Sequence, residues 1–269
     1  MCLICAGLFL TGILKRVYAN SHMNGKVYLV GIGTGNSGDL TPRARQAIAR
    51  SEVVIGHGFS LEFIRDLTSG KEVTGDKMSP LERSSAAVEY CLKGLPVTII
   101  STGDPGIYAI ATTFLCYLKE NNIAIPVEII PGVTTSSSAA ASLGSPIGND
   151  FAVISLSDQA RDWPAVLKRL EQAAAADFVL VLYNPLGKLG HGRVLEVCKA
   201  LEAFKNSQTP VGIVSSAGGE KQAARIINLA ELCETRLTED SLIIVGNSST
   251  FVYNGWMITP RAYQPGIGY

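Results

Sequence analysis

Twice in the first half of this chain an apolar, β-branched run ends in a glycine-rich turn and passes at once into a helix-like segment. The first is Val27-Tyr28-Leu29-Val30-Gly31-Ile32-Gly33-Thr34-Gly35, leading to Asp39-Leu40-Thr41-Pro42; the second ends Ser101-Thr102-Gly103-Asp104-Pro105-Gly106-Ile107-Tyr108. A run that is apolar without alternation reads as a strand covered on both faces, the signature of a parallel α/β sheet. The glycines then deliver backbone without Cβ atoms to the carboxyl ends of neighbouring strands, where open α/β sheets bind ligands. A third turn, Pro131-Gly132-Val133-Thr134-Thr135-Ser136-Ser137-Ser138, follows a strand over Val127–Ile130 and offers small residues, hydroxyls and helix N-terminal N–H groups.

Spacing narrows the ligand. A dinucleotide fingerprint needs Gly-x-Gly-x-x-Gly, and Asn36 stands where its third glycine belongs. No Gly-Lys-Ser/Thr follows either, so a phosphate loop is excluded. With 23 basic and 23 acidic residues in 269, the chain lacks the basic stripe of a nucleic-acid binder, and a small-molecule substrate is expected. Of the cysteines, Cys2 and Cys5 have C-x-x-C spacing without a second pair, so no metal site is expected. Cys91, Cys116, Cys198 and Cys233 lie in helix-like apolar patterns and read as buried thiols of a reducing, cytoplasmic compartment. His22, His57 and His191 are too separated for a triad.

Residues 1–22 read as a leader or cloning-derived segment, too short in its apolar part to span a bilayer, with Ser21-His22-Met23 resembling a cloning junction. Thr41 and Pro42 mark one helix start, and Ser79-Pro80-Leu81-Glu82 marks another with a capping box that gives Glu82 a structural task. Gly144–Asp150 reads as a linker, after which strands and helices alternate again. Two α/β domains are therefore expected, 23–148 and 149–269, with a ligand cleft between them.

In order and spacing these motifs resemble the tetrapyrrole methylases, from about Gly25 to Tyr263. The marks are Val30–Gly35 with Leu40-Thr41-Pro42, then Gly103-Asp104-Pro105 and Pro131-Gly132-Val133-Thr134. Asp150–Asp158, Leu182-Tyr183-Asn184-Pro185, Pro210–Val214 and Val245-Gly246-Asn247-Ser248 resemble the branch that methylates C17 of precorrin-3B or cobalt-factor III. Thr34 departs from a frequent Pro, and Leu186–Gly192 lacks the basic cluster that the resemblance would set against substrate carboxylates.

The resemblance implies a homodimeric, two-domain enzyme of cobalamin biosynthesis that binds S-adenosylmethionine and releases S-adenosylhomocysteine. It places Gly31, Gly33, Thr34 and Gly35 on the floor of the donor site, and Thr102, Gly103, Asp104, Ile107 and Tyr108 along the donor. Thr134 and Thr135 would offer hydroxyl or backbone contacts, Tyr183 and Asn184 would border the adenosine, and Ala217 would pack near the base. It also implies contraction of the macrocycle with loss of the C20 meso carbon. Asp104 and Asp158 are the candidate bases and Tyr108 the candidate proton donor. A uroporphyrinogen III methyltransferase, a non-enzymatic tetrapyrrole carrier and a nicotinamide oxidoreductase are the alternatives; Asn36 disfavours the last.

Overall fold

The computed structural model describes residues 25–157, 162–186 and 190–261, and these divide into two compact units, one ending at Thr134 and one beginning at Thr135.

The first unit is a five-stranded, wholly parallel sheet in the order β3-β2-β4-β1-β5. Its strands are β1 (Val27–Gly31), β2 (Val53–Ile55), β3 (Glu72–Thr74), β4 (Val97–Ser101) and β5 (Val127–Ile130). Between them run helices α1 (Pro42–Arg50), α2 (Gly58–Glu62), α3 (Pro80–Leu92) and α4 (Ile110–Glu120). The crossovers β1→β2→β3 step toward one edge, and β3→β4→β5 step back toward the other. Parallel crossovers are right-handed, so opposite steps put helices on opposite faces. Accordingly α1 buries Ala44, Ala47 and Ile48 against Tyr28, Val30 and Ile100 on one face. On the other, α3 and α4 bury Ala87, Val88, Phe114 and Leu118 against Leu29, Ile55 and Ile99. The chain therefore leaves the adjacent strands β1 and β4 for opposite faces, which opens a crevice at their carboxyl ends.

Local chemistry sets the helix starts. Thr41 Oγ1 accepts the Ala44 N–H at 3.1 Å, with Pro42 in the first turn of α1. Ser79 and Glu82 form the expected reciprocal box at α3, and the backbone N–H of Ser79 holds the Glu82 carboxyl below its ordinary pKa. His57 caps α2, its Nδ1 accepting the Phe59 N–H at 3.4 Å.

The second unit carries α5 (Thr135–Leu143), β6 (Gly144–Ser145), β7 (Phe151–Ser155), α6 (Trp163–Ala175), β8 (Val179–Tyr183), α7 (His191–Glu202), β9 (Pro210–Ser215) and β10 (Ala223–Asn228). It ends with α8 (Leu229–Leu232), β11 (Leu242–Val245), β12 (Phe251–Tyr253) and β13 (Trp256–Ile258). Its main sheet runs β10-β9-β11-β8-β7 and is mixed: β7 and β8 are parallel, while β11 pairs antiparallel with both β8 and β9. Leu170, Val194, Leu201 and Leu232 of α6, α7 and α8 cover one face. The other is covered by Ala139, Ala140 and Leu143 of α5 together with Met257 of β13, so α5 packs with the second unit, ahead of the 144–150 stretch. β12, β13 and β6 form a small third sheet, its hairpin turned by Asn254 and Gly255, both at positive φ.

Three details differ from expectation. β3 and β10 lie at sheet edges with largely exposed residues, so they lack the apolar run that marks the inner strands. Cys116 is exposed, because it lies on the outer side of α4 between the buried Phe114 and Leu118; Cys91 and Cys198 are buried as expected. Burial pushes the Cys91 thiol up to about 11.

Candidate functional site

In the first unit the loops after β1 and β4 are hydrogen-bonded to each other through backbone groups, and the loop after β5 packs against both. Ile32 N–H donates to Ser101 O at 2.9 Å, Gly103 N–H to Gly33 O at 2.7 Å, and Gly33 N–H to Gly103 O at 3.3 Å. A Cβ on Gly31 would stand 2.5 Å from Gly132 N and 2.7 Å from Gly103 O. A Cβ on Gly132 would stand 2.2 Å from Gly103 O. The three strand ends thus approach this closely only because Gly31 and Gly132 carry no Cβ. Gly33 (φ 74°), Gly35 (φ 109°) and Gly103 (φ 67°) also adopt left-handed backbone, which turns each chain sharply away from its strand.

Asp104 ties these loops. Its Oδ1 accepts the Gly106 N–H at 2.8 Å and its Oδ2 accepts the Gly132 N–H at 3.1 Å, joining the β4 loop to the β5 loop. Thr102 Oγ1 lies 2.8 Å from the hydroxyl of Ser60 on α2. Thr34 is buried, whereas Ile107 and Tyr108 are held out to solvent at 39% and 56% exposure, Tyr108 with φ 52°. A bulky aromatic residue in the left-handed region is uncommon and persists only where the surrounding loop imposes it.

In the second unit the carboxyl ends of β7, β8 and β9 share one end of the sheet with the start of β11, since Leu242 pairs with Val214. Tyr183 closes β8, its hydroxyl accepting the Ser136 N–H in the first turn of α5 at 2.9 Å. Asn184 (φ 52°) and Ser216 (φ 47°) follow β8 and β9 in left-handed conformation. Ala217 is buried beside Val214 and Leu242. Asp240, just before β11, accepts from both the N–H (2.9 Å) and the Oγ (2.5 Å) of Ser216. Those bonds, and one from Thr238, hold its carboxyl below the ordinary carboxylate range.

The structure therefore gathers the predicted residues into two groups. Gly31, Gly33, Thr34, Gly35, Thr102, Gly103, Asp104, Ile107 and Tyr108 come from the β1 and β4 loops of the first unit, with Thr134 following the β5 loop. Thr135, Tyr183, Asn184 and Ala217 belong to the second. Asp158 lies outside the described residues. Sequence reasoning passed over Gly132, Ser60, Ser216 and Asp240. Gly132 was visible inside the Pro-Gly-Val-Thr motif; Asp240 was not, because Thr238-Glu239-Asp240 reads as a solvated turn. Among the described residues no His/Cys/Asp/Glu group could hold a metal ion, and no helix is long and apolar enough to cross a membrane.

A family model described as Tetrapyrrole (Corrin/Porphyrin) Methylases matches residues 26–233. The chain is 38% identical over 236 residues to a probable cobalt-factor III C(17)-methyltransferase of Salmonella typhimurium, covering 87% of this chain and 98% of that protein. Among solved structures, the methyltransferase CobJ aligns with a TM-score of 0.81 at 28% identity, covering 88% of this chain and all of the other. A uroporphyrin-III C-methyl transferase from Thermus thermophilus, complexed with S-adenyl homocysteine, aligns with a TM-score of 0.66 at 25% identity, covering 82% and 97%.

Proposed function

The chain belongs to the tetrapyrrole (corrin/porphyrin) methylases, and from that premise we propose that it transfers a methyl group from S-adenosylmethionine to C17 of cobalt-factor III or its metal-free counterpart, precorrin-3B. The observation that carries the reading is 38% identity sustained over nearly the whole of a relative named for the C17 reaction. Any cobalt enters with the substrate. Ring contraction accompanies the transfer in this reading.

The candidate residues suit such a donor chemically. Apart from the carboxylates of Asp104 and Asp158 they are uncharged, so no cationic side chain among them opposes a sulfonium. Ile107 and Tyr108 offer exposed apolar surface to a nucleoside, and the glycine turns leave backbone groups within reach of polar atoms. When bound, S-adenosylmethionine supplies an electrophilic methyl group. The chain's part is to hold donor and acceptor carbon in line, and such positioning lowers a barrier by several kcal/mol. In this reading Gly31, Gly33, Gly35 and Gly103 form the floor, with Thr34 and Thr102 beside them and Thr134 and Thr135 at the start of α5. Tyr183, Asn184 and Ala217 receive the adenosine. Both carboxylate oxygens of Asp104 are engaged by backbone N–H groups, so we assign it to loop positioning and leave Asp158 as the candidate base and Tyr108 as the candidate proton donor.

The test is incubation of purified protein with S-adenosylmethionine and either cobalt-factor III, precorrin-3B or uroporphyrinogen III, followed by mass spectrometry. One methyl added to either of the first two and none to uroporphyrinogen III supports the reading. Methylation of uroporphyrinogen III alone refutes it in favour of the related activity, and macrocycle binding without formation of S-adenosylhomocysteine makes the protein a carrier. We further propose a cytoplasmic homodimer, checked by sedimentation velocity of the purified chain and by cell fractionation.

A further inference from the structure

We propose that Asp240 is a positioning residue for the adenosine half of the donor site: it holds Ser216 in the left-handed conformation and so fixes where Ala217 stands. The inference rests on the reading of Ala217 as a neighbour of the donor's base.

Left-handed backbone is unfavourable for any residue with a Cβ and persists only where the surroundings impose it. At Ser216 two of the restraints come from a single oxygen. Asp240 Oδ2 accepts from the backbone N–H at 2.9 Å and from the side-chain Oγ at 2.5 Å, so one carboxylate restrains both the backbone and the rotamer. Hydrogen bonds to an ionised acceptor are the strong ones. Asp240 is itself anchored two residues before Leu242, which is paired in register with Val214 on β9. The rest of the turn leaves no slack. Gly219 N–H donates to Ser216 O at 2.9 Å, and Gly218 N–H donates to Gln222 Oε1 at 2.7 Å. Ala217, between them, is 5% exposed and seated against the core. Any relaxation of Ser216 therefore displaces Ala217 and weakens its contact with the adenosine.

The experiment compares Asp240→Ala, Asp240→Asn and the double variant Asp240→Ala/Ser216→Gly with the unaltered chain. Glycine adopts left-handed backbone without help, so the double variant restores the conformation without the carboxylate. Affinity for S-adenosylhomocysteine is measured by calorimetry, and KM and kcat for S-adenosylmethionine by turnover, at a temperature where melting curves show every variant folded. Expected for Asp240→Ala is an affinity about tenfold or more weaker and a KM raised by about as much, with kcat within about threefold, since the adenosine contact is made equally in the bound donor and in the transition state. Asp240→Asn, which keeps one acceptor oxygen, falls between, and Ser216→Gly recovers most of the lost affinity. Unchanged affinity in Asp240→Ala, or a loss that Ser216→Gly does not recover, overturns the proposal. Failure of the unaltered chain to bind S-adenosylhomocysteine is a separate outcome, which overturns the donor reading itself and this inference with it.

Discussion

Replacing Gly132 by alanine tests whether three strand ends really close on bare backbone. The φ of Gly132 is not in the left-handed region, so the whole cost is steric. The new Cβ would lie 2.2 Å from Gly103 O, 2.8 Å from Gly31 C and 2.9 Å from Gly31 Cα. To reach ordinary contact distances the β5 loop must retreat by roughly 1 Å. Overpacking costs about 1–3 kcal/mol, and backbone neighbours, which cannot swing aside as side chains do, put this case at the upper end. Retreat also stretches the Gly132 N–H bond to Asp104 Oδ2, a bond to a charged group worth about 1.5–3 kcal/mol. The expected loss is about 3–5 kcal/mol, a fall in Tm of about 6–20 °C for a chain of this size. Melting followed by circular dichroism reads it, with Gly192→Ala as control: a Cβ there meets nothing within 4 Å. That change in α7 should be neutral or stabilising by up to about 1 kcal/mol. A Gly132→Ala variant melting within a degree or two of the parent would refute the closure. Gly31→Ala fills the same gap, so the double substitution should cost less than the two singles added together.

Other outcomes follow from the same geometry. Asp104→Asn should keep turnover within about tenfold, because one acceptor oxygen remains for the loop, whereas loss of a general base removes about 10²–10⁴-fold; a drop of that size in steady-state assays would restore Asp104 as the base. Glu128 pairs with Lys26 and Arg43, whose hydrogen bonds lower its pKa, so its stabilising contribution is present above the unfolded pKa of about 4.3 and lost as pH falls through the lower folded value. These partners are a third or more exposed, so Glu128→Gln should flatten the acid limb of an unfolding curve by less than about 1 kcal/mol. Iodoacetamide at pH 8 should modify Cys116 and spare the buried Cys91, read by peptide mass mapping. Phe114→Ala, at a fully buried site between α4 and the sheet, should cost about 3–5 kcal/mol in denaturant titration.

What could be read from sequence follows from burial. β1, β4, β8 and β11 are covered on both faces, so their apolar runs stand out unbroken. Glu72–Thr74 and Ala223–Asn228 became strands by pairing at an edge, and edge pairing leaves little compositional trace. The β12–β13 turn did carry a signal in Asn254-Gly255, which the alternation of longer elements obscured. The glycine loops of the first unit were legible because close backbone approach admits one residue type. Ser216 and Asp240 were not, since 24 positions separate them and only the β9–β11 register brings them together.

The order of the first sheet has a consequence for biosynthesis. β1 is an inner strand whose partners are β4 and β5, and Val27 pairs with Val97 and Val127. A ribosome adding about 5–20 residues per second takes roughly 4–14 s to lengthen the chain from Val27 to Val97. Throughout that interval Val27-Tyr28-Leu29-Val30 is an apolar strand with both edges open, the kind of segment that pairs with the wrong chain. Yield of this protein in a cell should therefore respond to translation speed and chaperone supply across residues 30–130 more than to the melting temperature of the finished molecule.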